Sequence, residues 1–147
     1  MIADSIQKLV VDAMKSKDSV RVSTLRMLSS ELKNALIDKG SPLTDEEELK
    51  VVQHEAKKRR DAIEGFEKGG NTSSADNERA ELVILSEFLP AELTDSELEK
   101  LVVDALAESG ATSPQEMGKI MPILMPKVAG RADGKRVTAL VQQKLQG

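Results

Sequence analysis

Three glycine–base dipeptides fall within 18 residues of one another: Gly118-Lys119, Gly130-Arg131 and Gly134-Lys135, the last extended by Arg136. A glycine lets an anionic ligand approach backbone N–H groups, and the base beside it supplies the counter-charge. Lys135 and Arg136 fall in the first turn of an expected helix, where a cation opposes the helix dipole and Asp133 as N-cap offsets part of the cost. Bases placed that way make sense when an anion such as a phosphate docks at the helix start. Lys119, Lys127, Arg131, Lys135 and Arg136 are therefore candidate phosphate contacts, with Gly118, Gly130 and Gly134 as candidate backbone anion sites. A plain solubilising surface is the competing reading. Phe66 and Phe88 are the only aromatic residues, so bases have almost nothing to stack on, and recognition would be of shape, not of sequence.

A second basic cluster, Lys57-Lys58-Arg59-Arg60, is a weaker candidate. Four consecutive helical positions sweep about 300–400° around the axis, so they cannot form one flat patch. At least one of them is expected to run along the edge of the core, and Glu55, Asp61 and Glu64 neutralise part of the rest. A solvated helix face and a contact to RNA phosphate or a partner both remain open for this run.

Catalytic groupings do not emerge. With no cysteine and one histidine, His54, the chain has no material for disulfides, thiol chemistry, iron–sulfur clusters, cysteine-ligated zinc or a multi-histidine site. Ser29-Ser30 lacks the Gly-x-Ser-x-Gly frame of a nucleophile elbow, and no phosphate loop or dinucleotide fingerprint occurs. Asp45, Glu46, Glu47 and Glu48 lie in an expected first turn, where negative charge meets the positive end of a helix. No catalytic residue, metal or cofactor is assigned.

The 147 residues carry a net charge of -4, which alone argues against nucleic acid. Divided at residue 110, the charge is uneven: residues 110–147 hold six bases and two acids, a local +4, and residues 1–109 a local -8. Hydrophobic residues at 39% and charged residues at 31% describe a folded water-soluble chain. The start, MIADSIQKLVVDAMK, lacks the apolar stretch of a secretory signal, and runs such as LVIL at 82–85 are too short to span a bilayer. A cytoplasmic location and no membrane contact are expected.

The elements that must position these bases are all helical. Ile2, Ile6, Leu9, Val10, Ala13 and Met14 form one stripe, and Val22, Leu25, Leu28, Leu32 and Leu36 another, joined by a turn at KSKDS with Ser19 as the expected N-cap. Capping boxes at Thr44–Glu47 and Thr94–Glu97 open two more helices, the first running to about Phe66 with Leu49, Val52, Ala56, Ile63 and Phe66 inward. GGNTSS at 69–74 is a loop, and a further helix spans about 75–88. Ser113-Pro114-Gln115-Glu116 opens a helix that Pro122 should kink or split, and GRADG at 130–134 precedes the last one. Met117, Met121 and Met125 recur at helical spacing, as ordinary core or as an adaptable partner groove. The expectation is an all-α chain: an N-terminal four-helix domain at 1–90, then a C-terminal three-helix bundle at 91–147 small enough to need support.

FLPAELTDSELEKLV at 88–102, MGKIMPILMPKVAGRADGKRVTALV at 117–141 and LTDEEELKVVQHEAKKRRDAIEGFEKGG at 43–70 resemble the GatB/YqeY family over nearly the whole chain, in its stand-alone form. The resemblance implies an N-terminal helical domain and a C-terminal domain similar to the tail of the B subunit of the glutamine-dependent aspartyl/glutamyl-tRNA amidotransferase. That tail is associated with holding tRNA, and the chemistry resides elsewhere in that enzyme. A carbon–nitrogen ligase label with glutamine as amido-N-donor attaches to this chain only through the resemblance. The implied partners are tRNA or other structured RNA, with no readout of DNA sequence. The alternative is a module docking on an amidotransferase or synthetase without touching RNA.

Overall fold

The computed structural model describes residues 1–146, and among them there are seven α-helices, one 3-10 turn and no strand. The helices are α1 (Ile2–Lys15), α2 (Ser19–Lys39), α3 (Asp45–Lys68), α4 (Thr72–Ser86), α5 (Asp95–Ser109), α6 (Met117–Val128) and α7 (Gly134–Gln146). The chain divides into two compact units, Met1–Leu89 and Pro90–Gly147.

In the first unit, α1 and α2 pack side by side, α3 pairs extensively with α4, and α2 touches both. Ile6, Val10, Ala13, Leu25, Leu28, Leu32, Val52 and Leu85 close the core. Two expectations change here. The N-cap of α2 is Asp18, whose carboxylate accepts the Arg21 N–H at 3.0 Å, and not Ser19: a carboxylate two bonds from the backbone reaches the third amide while Ser19 takes helical geometry. Helix α4 begins at Thr72, three residues before the expected start, because Asn71 caps it by accepting from Ser74 N–H at 3.1 Å. Both capping boxes form as expected; Gly40 and Gly110 end α2 and α5 in the left-handed region that a glycine enters without strain.

In the second unit, α5 packs on α6 and α7, and Leu98, Val102, Ala105, Ile120, Leu124, Val128, Val137 and Val141 are buried together. Pro114 to Glu116 form a 3-10 turn, and Ser113 makes no cap bond; the Glu116 carboxylate accepts the Thr112 N–H at 2.6 Å instead. Pro122 does not split α6, which runs from Met117 to Val128 with Pro122 and Pro126 inside it. Both prolines are exposed, so the carbonyls of Gly118 and Pro122 that lose a donor are left to water, while Ile120, Leu124 and Val128 hold the buried face together.

Candidate nucleic-acid interface

The bases of residues 110–147 sit on α6, on the loop after it and on α7, and most of them are engaged within their own unit. Lys119 lies one turn from Glu116 at 3.4 Å, Lys127 reaches Glu108 of α5 at 2.7 Å, and Lys144 reaches Glu99 of α5 at 2.5 Å. Lys135 is exposed at the start of α7. The two arginines do something different. Arg131 Nε donates to the Ala91 carbonyl at 2.9 Å, and its own carbonyl accepts from Leu93 N–H at 2.8 Å. Arg136 donates through Nη1 to the Leu93 carbonyl at 2.9 Å and through Nη2 to Asp95 at 2.6 Å. Together they pin residues 91–95, the segment leading into α5, against the α6–α7 loop and the first turn of α7. The fork of donors on a guanidinium suits that task, because it can hold a carbonyl and a carboxylate at once.

The three glycines are separated by role. Gly118 is the second residue of α6, Gly130 follows the left-handed C-cap Ala129 with φ 74°, and Gly134 is the first residue of α7. A Cβ added at Gly118 or Gly134 would meet nothing within 4 Å. At the start of α7, Asp133 fills the N-cap as expected, its carboxylate accepting the Lys135 N–H at 3.3 Å while its carbonyl accepts from Val137. The protein's own carboxylate thus occupies part of the slot that an anion would use. Glu116 and Glu97 are both held below the ordinary carboxylate range. A backbone N–H donor is the main cause in each case, from Thr112 and Thr94 respectively.

The run at 57–60 is dispersed around α3, as four successive positions must be. Lys57 pairs with Asp61 at 2.9 Å. Lys58 binds Glu55 at 2.8 Å, which holds its ammonium above the ordinary lysine value. Arg59 lies along the edge of the core, with Glu81 at 2.6 Å, Glu78 at 3.5 Å, Glu55 at 3.7 Å and Met27 Sδ at 3.5 Å. Its Nε and Glu78 Oε2 are buried and face each other without a well-aligned hydrogen bond. Arg60 is half-buried and also engaged. His54 is exposed, in a groove between α2 and α3.

Two acids take positions that the charge pattern alone did not suggest. Glu48 is 1% exposed and accepts the N–H groups of Ile2 at 2.6 Å and Ala3 at 3.3 Å. It caps α1 from 46 positions away, where Met1 offers no side-chain cap. Glu55 is 2% exposed under Lys58 and Arg59. Both lie on the stripe Glu48, Val52, Glu55, Ala56, spaced like any buried helix face, and that spacing is the signal that would have found them. Among the described residues no group of three His, Asp or Glu side chains could hold a metal ion, and no helix is long and apolar enough to cross a membrane.

The family model described as Yqey-like protein matches residues 3–145 of this two-unit, all-helical chain, and the chain belongs to that family. It is similar to an uncharacterized protein of Schizosaccharomyces pombe, 35% identical over 85 residues, covering 58% of this chain and 69% of the relative. It is also similar to Altered inheritance of mitochondria protein 41, mitochondrial, of Pyrenophora tritici-repentis. That match is 26% identical over 147 residues, covering 97% of this chain and 80% of the relative.

Proposed function

We propose that this chain is an accessory protein of tRNA-dependent amidation that holds tRNA, or RNA of similar shape, through the lysines of its basic C-terminal stretch, residues 110–147. The observation that carries this reading is the +4 of residues 110–147, set against -8 elsewhere, with Lys119, Lys127 and Lys135 on the surface. The ion pairs of Lys119 and Lys127 are exposed, and exposed pairs contribute little, so both ammonium groups can exchange a carboxylate for a phosphate at small cost. Arg131 and Arg136 act in this reading as the frame that sets those lysines in place, not as the main phosphate contacts. The resemblance to the tail of an amidotransferase B subunit supplies tRNA as the RNA. The ligase chemistry stays with other proteins, and a self-standing C-terminal domain from residue 91 and a cytoplasmic setting belong to the same proposal.

A fluorescence titration of the full chain with bulk tRNA at several salt concentrations tests it. Four lysine contacts give a slope of log K against log salt of about -3. The combined variant Lys119→Glu, Lys127→Glu, Lys135→Glu, Lys144→Glu should lose nearly all of that slope. Unchanged tRNA affinity in the variant overturns the proposal.

A further inference from the structure

Residues 110–147 carry a local +4, yet most of the cations without a carboxylate partner among the described residues lie elsewhere. Among the described residues Lys8, Lys15, Lys17, Arg26 and Lys33 make no ion pair with an acid, and all five lie on α1, on the α1–α2 turn or on α2; Lys100 on α5 makes none either. Two of the five, Lys17 and Arg26, come together at one groove. The groove, of about 620 Å³, is lined by Met14, Lys17, Ser19, Val22, Ser23 and Arg26, with no acid in its wall. Its apolar wall is Met14, 52% exposed, and the half-buried Val22. Arg26 Nη2 lies 3.4 Å from Met14 Sδ, which is no substitute for a carboxylate.

The acids close to this groove are already committed or turned away. The Asp18 carboxylate accepts the Arg21 N–H as the α2 cap, and Glu87 pairs with Arg21 at 2.9 Å. Asp12 is on α1, between Lys8 and Lys15, and is outside the groove wall. Lys17 itself has φ 58°, a left-handed conformation that glycine or asparagine would adopt with less strain. What lysine adds at that position is a cation at the mouth of the groove.

We propose that this groove is a docking site for an acidic segment of a protein partner that carries a large apolar anchor side chain. Charge complementarity asks for a negative occupant, and the exposed methionine with Val22 beside it asks for an apolar one. RNA meets the first requirement only: a phosphate backbone would leave Met14 wet, and no aromatic ring is available there for a base. An unbranched thioether adapts its shape to the anchor it receives. The site is separate from the lysines assigned to RNA, so the two readings fail separately.

The test uses the full chain and a fluorescein-labelled peptide of glutamates with leucines at helical spacing. The expected result is saturable binding that weakens about tenfold in the Lys17→Glu, Arg26→Glu variant, since one reversed charge pair of this kind is worth about that much. Met14→Ser should weaken it severalfold, and the same peptide with serine in place of leucine should bind poorly. Helix content by circular dichroism should stay unchanged in both variants, whose sites are exposed, and Lys50→Glu outside the groove should leave binding intact. Equal binding of the leucine and serine peptides, or full affinity in the Lys17→Glu, Arg26→Glu variant, overturns the proposal. So does tRNA affinity, or affinity for phosphatidylserine vesicles, that falls with this variant, since the groove would then serve a nucleic acid or a lipid surface.

Discussion

Residues 8–33 and residues 110–147 each carry six bases, and the two stretches use them in opposite ways. In the second stretch Arg131 and Arg136 tie down the segment leading into α5, and Lys119, Lys127 and Lys144 lean on acids of their own unit. In the first, among the described residues, Arg21 alone is paired with an acid; the other five cations have no carboxylate partner, and two of them, Lys17 and Arg26, share a groove with the exposed Met14. Local net charge therefore ranks the two surfaces one way and available charge ranks them the other. A cation's worth to a partner depends on what it must give up, and that quantity is invisible in a count of lysines and arginines.

The sharpest way to break this contrast is to remove cations from both kinds of place and compare stability. Arg59 is the extreme of the engaged kind, since its loss leaves Glu55 buried and Glu78 and Glu81 without their guanidinium. Arg59→Ala should destabilise the protein by about 3 kcal/mol in denaturant unfolding, and a change under 1 kcal/mol would remove it from the core network. Glu48→Ala comes next, at about 1–3 kcal/mol, because two amides at the start of α1 lose their acceptor in a buried place. Arg136→Ala should cost about 1–2 kcal/mol, its bonds to Leu93 and Asp95 being more exposed. At the far end, Lys17→Ala and Arg26→Ala should change stability by no more than about 0.5 kcal/mol. Similar losses at Arg26 and Arg136 would erase the distinction.

Acid sharpens the comparison from the other side. Glu47 is pushed down to about 2, first by its hydrogen bond with Lys39 and then by Thr44 N–H, and Glu97 and Glu116 are lowered by backbone donors. A carboxyl whose folded pKa is depressed adds stability that is complete above its unfolded value near 4.5 and fades as pH falls toward the folded value. Unfolding midpoints should therefore drop between pH about 4.5 and about 2, and Glu47→Gln should flatten that drop. An unchanged slope in the variant would assign the acid sensitivity to other groups.

Much of the fold was legible because local chemistry and global packing agree. The capping boxes at Thr44 and Thr94 and the stripes of α1 and α2 were visible as spacing. Local rules failed where tertiary packing outweighed them. Pro122 was expected to kink or split α6, and the helix is not split: it runs unbroken from Met117 to Val128 with three buried residues holding its inner face. Glu48 looked like one more first-turn acid and instead caps a helix far away in sequence. The candidate site was half legible: the glycine–base pattern located the bases, but pairing with Glu108, Glu99, Leu93 and Ala91 is a property of the folded unit, not of the string. Nothing in the spacing of Lys8, Lys15, Lys17, Arg26 and Lys33 announced that, among the described residues, they would stand without a carboxylate partner.

The division of labour between the two surfaces is tested most directly by tRNA affinity as a function of salt, for the full chain and two charge-reversed variants side by side. Reversal of Lys119, Lys127, Lys135 and Lys144 should weaken binding by orders of magnitude and bring the salt slope from about -3 toward zero. Reversal of Lys17 and Arg26 should leave both affinity and slope as they are. The opposite pattern, with tRNA lost through Lys17 and Arg26 and kept without the four lysines of the second unit, would contradict the account.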